Sequence, residues 1–281
     1  METNTTTDID IDITAALAAV RSVGDDLLRR FPDAVPQPRL DLAMAAFEQL
    51  NAPATAALRG ALTGLLPGSA WADDELDDSG LRDGGADTGY TWVCDAVDGA
   101  VQFVQAIPAW CVSVALLHQG RTVLGIVHDA VHGETFHAVA GGGAFLNGVP
   151  LQASAKSELR AALAVHGNQP AVDDAVVVEL AGRSFSAVYP EVMAVRNLGP
   201  TALQLAWLAA GRVDAFWQIG SDHYNWLAGV VLATEAGAMA TDLAGLPYDL
   251  HARDLLVTAP ALHAELLAVL APLQPVADPA V

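Results

Sequence analysis

Between residues 90 and 150 the chain consists of short β-rich runs cut by glycine-containing turns, a pattern that restricts it to folds built on a mostly antiparallel sheet. Residues 91–94 read as a short strand leading into a turn at Asp98-Gly99. Residues 110–117 and 122–128 read as strands joined at Gln119-Gly120, residues 135–140 as another, and Asn147-Gly148 as a type I′ hairpin turn. Upstream the period changes. Ile13, Leu17, Val20, Val23 and Leu27 share one helical face and predict a helix over 13–31. A second helix is predicted over 40–66, with Pro53 as an interruption. Downstream, strands predicted at 161–166, 191–197, 213–218 and 254–258 alternate with helices at 173–180, 201–210, 224–236 and 260–273. Thr201 reads as an N-cap, and Gly211 and Gly237 as helix stops. Alternation of this kind predicts α/β layers.

Composition narrows the function. With 53% apolar residues in 281, the chain can bury a sizeable core. Its apolar runs are too short to span a bilayer, so no membrane association is expected. Thirteen Lys+Arg against 33 Asp+Glu argue against nucleic acid as a partner. An anionic substrate would need a local positive source, a metal or a helix N-terminus. Residues 1–10 are polar and acidic and read as a flexible tail without a secretory leader. With Cys94 and Cys111 read as reduced thiols, this predicts a cytoplasmic protein. Residues 73–87 form an acidic loop. Cys94 reads as a buried structural thiol. His128, His132 and His137 lack the spacing of a helical zinc pair. Gly141-Gly142-Gly143 precedes a hairpin rather than a helix, so it does not read as a phosphate loop.

The chemistry is concentrated in Trp92-Val93-Cys94-Asp95-Ala96-Val97-Asp98-Gly99-Ala100. Two carboxylates three residues apart, on a turn set by glycine, can aim at one point with the Val97 carbonyl between them. Hard cations such as Mg2+ take that oxygen set, although the same pattern also occurs as a plain polar turn. The stretch W-V-C-D-A-V-D-G-A-V-Q-F resembles the pattern W-[IV]-[IL]-D-P-[IL]-D-G-T-x-N-F of the inositol monophosphatase family, within the superfamily of metal-dependent, lithium-sensitive phosphatases. Similar segments follow in consistent order: G-I-V-H-D-A-V-H-G-E-T-F-H-A-V, G-G-G-A-F-L-N-G-V-P-L, R-N-L-G-P-T-A-L-Q-L-A-W-L-A-A-G-R-V-D-A-F and Y-N-W-L-A-G-V-V-L-A-T-E-A-G-A.

The resemblance implies a layered α/β/α/β/α sandwich and a homodimer. It implies an N-terminal α+β part over 11–150 carrying the antiparallel sheet and a C-terminal α/β part over 151–281. It also implies metal ligands at Asp95, Val97 (carbonyl), Asp98, and Asp74 or Glu75. Three positions depart from the family. Asn225 stands where the family has an Asp ligand, Asn51 where it has another Asp, and Ala100 where a Thr positions the attacking water. Gly199-Pro200-Thr201 and Gln218 replace residues that contact the inositol ring.

These departures predict weakly bound Mg2+ or none, since losing one oriented catalytic group costs about 3–4 kcal/mol in the transition state. They favour a repurposed small-molecule enzyme using carboxylate general acid/base chemistry for cyclisation, dehydration, isomerisation or hydrolysis. In that reading Asp74, Asp95, Asp98 and Tyr224 are catalytic. Gly99, Ala100, Thr201, Gln218, His223, Asn225 and Trp226 contact the substrate. Two alternatives stand beside it: a Mg2+-dependent phosphatase acting on a small sugar or cyclitol phosphate, and a non-catalytic binding protein.

Overall fold

A computed structural model describes residues 11–33, 35–73, 81, 89–167 and 174–273. The expected tail at 1–10 and most of the acidic loop, Asp74 and Glu75 included, lie outside the described residues.

The chain opens with two helices, α1 (Ile13–Arg30) and α2 (Leu40–Leu65). Asp12 caps α1 by accepting from the Ala15 amide at 3.0 Å. Pro53 does not interrupt α2 as its ring chemistry suggests. It lies on the exposed side of the helix, as does Gln49, whose carbonyl loses its N–H partner.

Seven strands follow in sequential order in one sheet: β1 (Ala70–Trp71), β2 (Tyr90–Asp98), β3 (Cys111–His118), β4 (Arg121–Asp129), β5 (Glu134–Val139), β6 (Gly143–Leu146) and β7 (Val149–Pro150). All pairs are antiparallel except β1 with β2. The two turn signals act as expected, with Gln119, Gly120, Asn147 and Gly148 all at positive φ. β2 is longer than its sequence reading and carries both candidate carboxylates within the strand. A short helix, α3 (Ala100–Val104), starts directly after Gly99.

The second sheet runs β11-β12-β10-β8-β9, with β8 (Leu163–His166), β9 (Ala194–Arg196), β10 (Ala215–Ile219), β11 (Met239–Thr241) and β12 (Asp254–Thr258). Four helices accompany it: α4 (Ala175–Val188), α5 (Thr201–Ala209), α6 (His223–Glu235) and α7 (His263–Leu270).

The buried clusters define the layers. Side chains of α1 and α2 (Val20, Leu27, Leu58, Leu62) pack on one face of the first sheet through Trp92, Val114 and Ile126. The opposite face (Val93, Ala115, Val127) meets α5 and α6 through Leu203, Ala206, Ala228 and Leu232. The other sides of those helices, through Leu205, Trp226 and Val230, pack on Val165, Phe216 and Val257 of the second sheet. α4 and α7 cover its far face. This is the expected α/β/α/β/α sandwich, with α5 and α6 as its shared middle layer. Among the described residues no helix is long and apolar enough to cross a membrane.

Candidate functional site at the end of the second strand

Residues three apart on a regular strand point to opposite faces. Asp95 and Asp98 escape that rule because β2 is irregular between them. Asp95 pairs with Ser113 and Asp98 with Cys111, so Ala96 and Val97 together oppose the single residue Val112. The extra residue restores parity, and both carboxylates fall on the same side as Ser113 and Cys111, the side that meets α5 and α6. Asp95 Oδ1 accepts from the Val97 amide at 2.9 Å and holds the irregular segment from within. Gly99 ends the strand at φ 101°, a conformation suited to glycine. A Cβ there would lie 3.1 Å from the Ala109 carbonyl oxygen and from Trp110 Cα.

Two helix N-termini converge on this strand end. Asp98 Oδ2 accepts from the Ala202 amide at 3.0 Å and from Cys111 Sγ at 3.7 Å. Asp98 therefore caps α5 from another element, and Thr201 is the first helical residue rather than the N-cap. Tyr224, in the first turn of α6, donates its hydroxyl to the Cys94 carbonyl at 2.5 Å, one residue before Asp95. Asn225 follows Tyr224 in the same first turn. The α5 N-terminus directs a backbone N–H, that of Ala202, at Asp98, a local source of positive potential in an acidic protein.

The structure brings Asp95, Val97, Asp98, Gly99, Ala100, Thr201 and Tyr224 to this corner, with Asn225 next to Tyr224 in the first turn of α6. Other expected contacts lie elsewhere. Gln218, His223 and Trp226 are fully buried and present no surface to a substrate. His223 packs edge-on against Trp226 and bonds Tyr248 Oη through Nδ1 at 2.8 Å. The Tyr224 hydroxyl donates to a main-chain carbonyl and clasps α6 to β2. Thr201 is almost fully buried beneath the corner. Asn51 lies within α2, where its side chain accepts from Thr55 Oγ1 at 3.4 Å.

One residue escaped the sequence reading. Asp222 stands at the N-cap of α6 without capping it through its side chain. Its carboxylate takes Asn225 Nδ2 at 2.8 Å and Gln218 Nε2 at 2.9 Å. The available signal was an acidic residue three positions before Asn225 at a helix start.

The expected structural readings of the remaining residues agree with their surroundings. Cys94 and Cys111 are buried free thiols, and burial pushes both well above the ordinary thiol range. His132 pairs with Asp129 at 2.7 Å on a turn, and His128 is buried against Thr135. In the triglycine loop Gly141 and Gly143 donate to the two oxygens of Glu235, each at 2.8 Å.

The donor chemistry of the corner fits Mg2+. Two carboxylates on one face, the Val97 carbonyl within the irregular segment and the Asn225 amide are all hard oxygen donors. Among the described residues no three His, Cys, Asp or Glu side chains come together as an ion-holding group. The further carboxylate that the motif implies, Asp74 or Glu75, is outside them.

The chain matches the model of the inositol monophosphatase family over residues 10–274. Inositol-1-monophosphatase of Mesorhizobium japonicum is 34% identical over 171 residues, 57% of this chain and 60% of that protein. Nus factor SuhB of Pseudomonas aeruginosa is 35% identical over 161 residues, 57% of this chain and 59% of that protein. The match thus spans less than two thirds of the length of these curated relatives. The solved inositol monophosphatase of Anabaena superposes with a TM-score of 0.76 at 26% identity, covering 94% of this chain and 96% of that one. Sequence model, relatives and layered fold agree: this chain belongs to the inositol monophosphatase family.

Proposed function

We propose that the protein is a Mg2+-dependent phosphatase of a small sugar or cyclitol phosphate, working with an attenuated site. The observation that carries this reading is the shared face of Asp95 and Asp98, produced by the irregularity in β2 and met there by the N-termini of α5 and α6. A bound cation would polarise the phosphate and lower the pKa of an attacking water.

The chain's own residues supply the rest. Asp95 and Asp98 provide the negative charge that holds a cation, and the helix N-termini favour the phosphate oxygens. Asn225 contributes an oxygen without a charge, which weakens the hold on a cation relative to a carboxylate. Ala100 has no hydroxyl to orient water. The general acid/base alternative finds less support, because the relatives this chain matches include an inositol-1-monophosphatase.

Phosphate release from a panel of sugar and cyclitol phosphates, with and without Mg2+, tests the proposal. The expected result is slow, Mg2+-dependent release that falls by two or more orders of magnitude (about 3 kcal/mol) in Asp95→Asn and Asp98→Asn. Release that ignores both Mg2+ and these substitutions, or turnover of unphosphorylated compounds alone, overturns it.

A further inference from the structure

We propose that Asp222 is a positioning residue that fixes the amide of Asn225, its nitrogen held at the Asp222 carboxylate and its oxygen presented to the cation corner. This rests on the phosphatase reading above.

The orientation follows from chemistry along a chain of four side chains. The Trp226 indole can only donate, so the Gln218 atom 3.0 Å from it is the acceptor Oε1. The other end of Gln218 is therefore Nε2, and it donates to Asp222 Oδ2 at 2.9 Å. Asn225 Nδ2 donates in turn to Asp222 Oδ1 at 2.8 Å. Trp226 and Gln218 are fully buried and fixed by packing, so the rigid core sets the direction. Gly167 permits it, because a Cβ there would overlap the Gln218 amide.

Asp222 also forgoes its ordinary task. An N-cap Asp commonly accepts from the backbone N–H two or three residues on, yet here the side-chain amides of Gln218 and Asn225 take its oxygens. The negative charge absent at position 225 is thus present one helical turn earlier, where it polarises and aims the Asn225 amide.

The test is a cycle of wild type, Asp222→Asn, Asn225→Asp and the double variant, with two readouts. The first is hydrogen exchange of the Asn225 side-chain amide by 15N NMR, which needs no cation. The second is Mg2+ affinity by calorimetry. In Asp222→Asn the Asn225 amide protons are expected to exchange at least tenfold faster. The Mg2+ dissociation constant is expected to rise at least tenfold, with the thermal midpoint moved by only a few degrees. In the double variant the amide at 222 can donate to a carboxylate at 225, and affinity is expected to return to or exceed that of wild type. Asn225→Asp alone should gain less than this, because two carboxylates then face each other.

Unchanged amide exchange and affinity in Asp222→Asn, or strictly additive effects across the cycle, overturn the proposal. If Asp222→Asn does not fold, Asp222→Ser keeps an N-cap residue, yet its single hydroxyl cannot hold both amides, and the same readouts apply. If wild type binds no Mg2+, the phosphatase reading falls, and amide exchange alone decides the role of Asp222.

Discussion

At the scale of single residues, the corner depends on two small side chains beside the carboxylates. Gly99 combines a left-handed backbone with close neighbours at 3.1 Å, so Gly99→Ala meets both strain and crowding. A loss of about 1–3 kcal/mol in denaturant unfolding is expected, with a larger loss of Mg2+ affinity because Asp98 directly precedes it. Ala100 is the opposite case, a position where a group can be added. Ala100→Thr returns a hydroxyl beside Asp98 and is expected to raise kcat for phosphate release tenfold or more, with KM little changed. No increase would mean that water orientation does not limit the reaction. The carboxylate pair was legible in the motif, since it depends on residues close in sequence. Asp222 was not, because its importance comes from Gln218, Asn225 and the Trp226 indole meeting in space.

At the scale of elements, α6 determines the site geometry because it touches both sheets. It lies so close to β4 that a Cβ on Gly125 would overlap Val231 and the Ala228 carbonyl. It lies so close to α5 that a Cβ on Gly229 would overlap Leu205. Gly125→Ala or Gly229→Ala should therefore push α6 from its seat, costing about 2 kcal/mol or more and lowering the thermal midpoint by several degrees. The far end of α6 is latched by Glu235 to the turn between β5 and β6. Glu235→Gln replaces one acceptor by a donor facing an amide N–H, and a loss of about 1–2 kcal/mol in chemical denaturation is expected. Sequence reading found most of these elements, and placed β12 at its observed bounds, because periodicity is a local property. It shortened β2 and α4 and passed over β11, whose three residues are defined by pairing with β12 rather than by their own pattern.

At the scale of the molecule, burial sets the pH dependence. Burial pushes His128, His137, His166 and His263 below the ordinary 6.5, and His166 to about 4. The folded protein then binds fewer protons than the unfolded chain between those values. The stability held by neutral His166 is complete above pH 6.5 and is lost as pH falls through about 4, an effect of roughly 3 kcal/mol at most. Asp254 opposes this. Burial raises its carboxyl from 3.8 to about 6, against the Leu243 amide that donates to it. Its contribution is complete below pH 3.8 and is lost as pH rises through about 6. Four histidines outweigh one acid, so the thermal midpoint is expected to climb between pH 4.5 and 6.5. His166→Gln should make that slope shallower and Asp254→Asn steeper, as thermal scans across the range would show.

What the sequence determined by itself was local: the order of helices and strands, the turns at Gln119-Gly120 and Asn147-Gly148, and the spacing of Asp95 and Asp98 around a glycine turn. Each rests on dihedral preference or periodicity within a few residues, so a linear reading suffices. The tertiary structure decided which atoms meet. It restored the parity of Asp95 and Asp98 through their pairing with β3, and made Asp98 the cap of a helix 104 residues away in sequence. It joined Tyr224 to Cys94 across 130 residues and buried Trp226, His223 and Gln218 fully. Those outcomes follow from packing two sheets on one shared pair of helices, and no pattern along the chain encodes the distance between side chains that packing alone brings together.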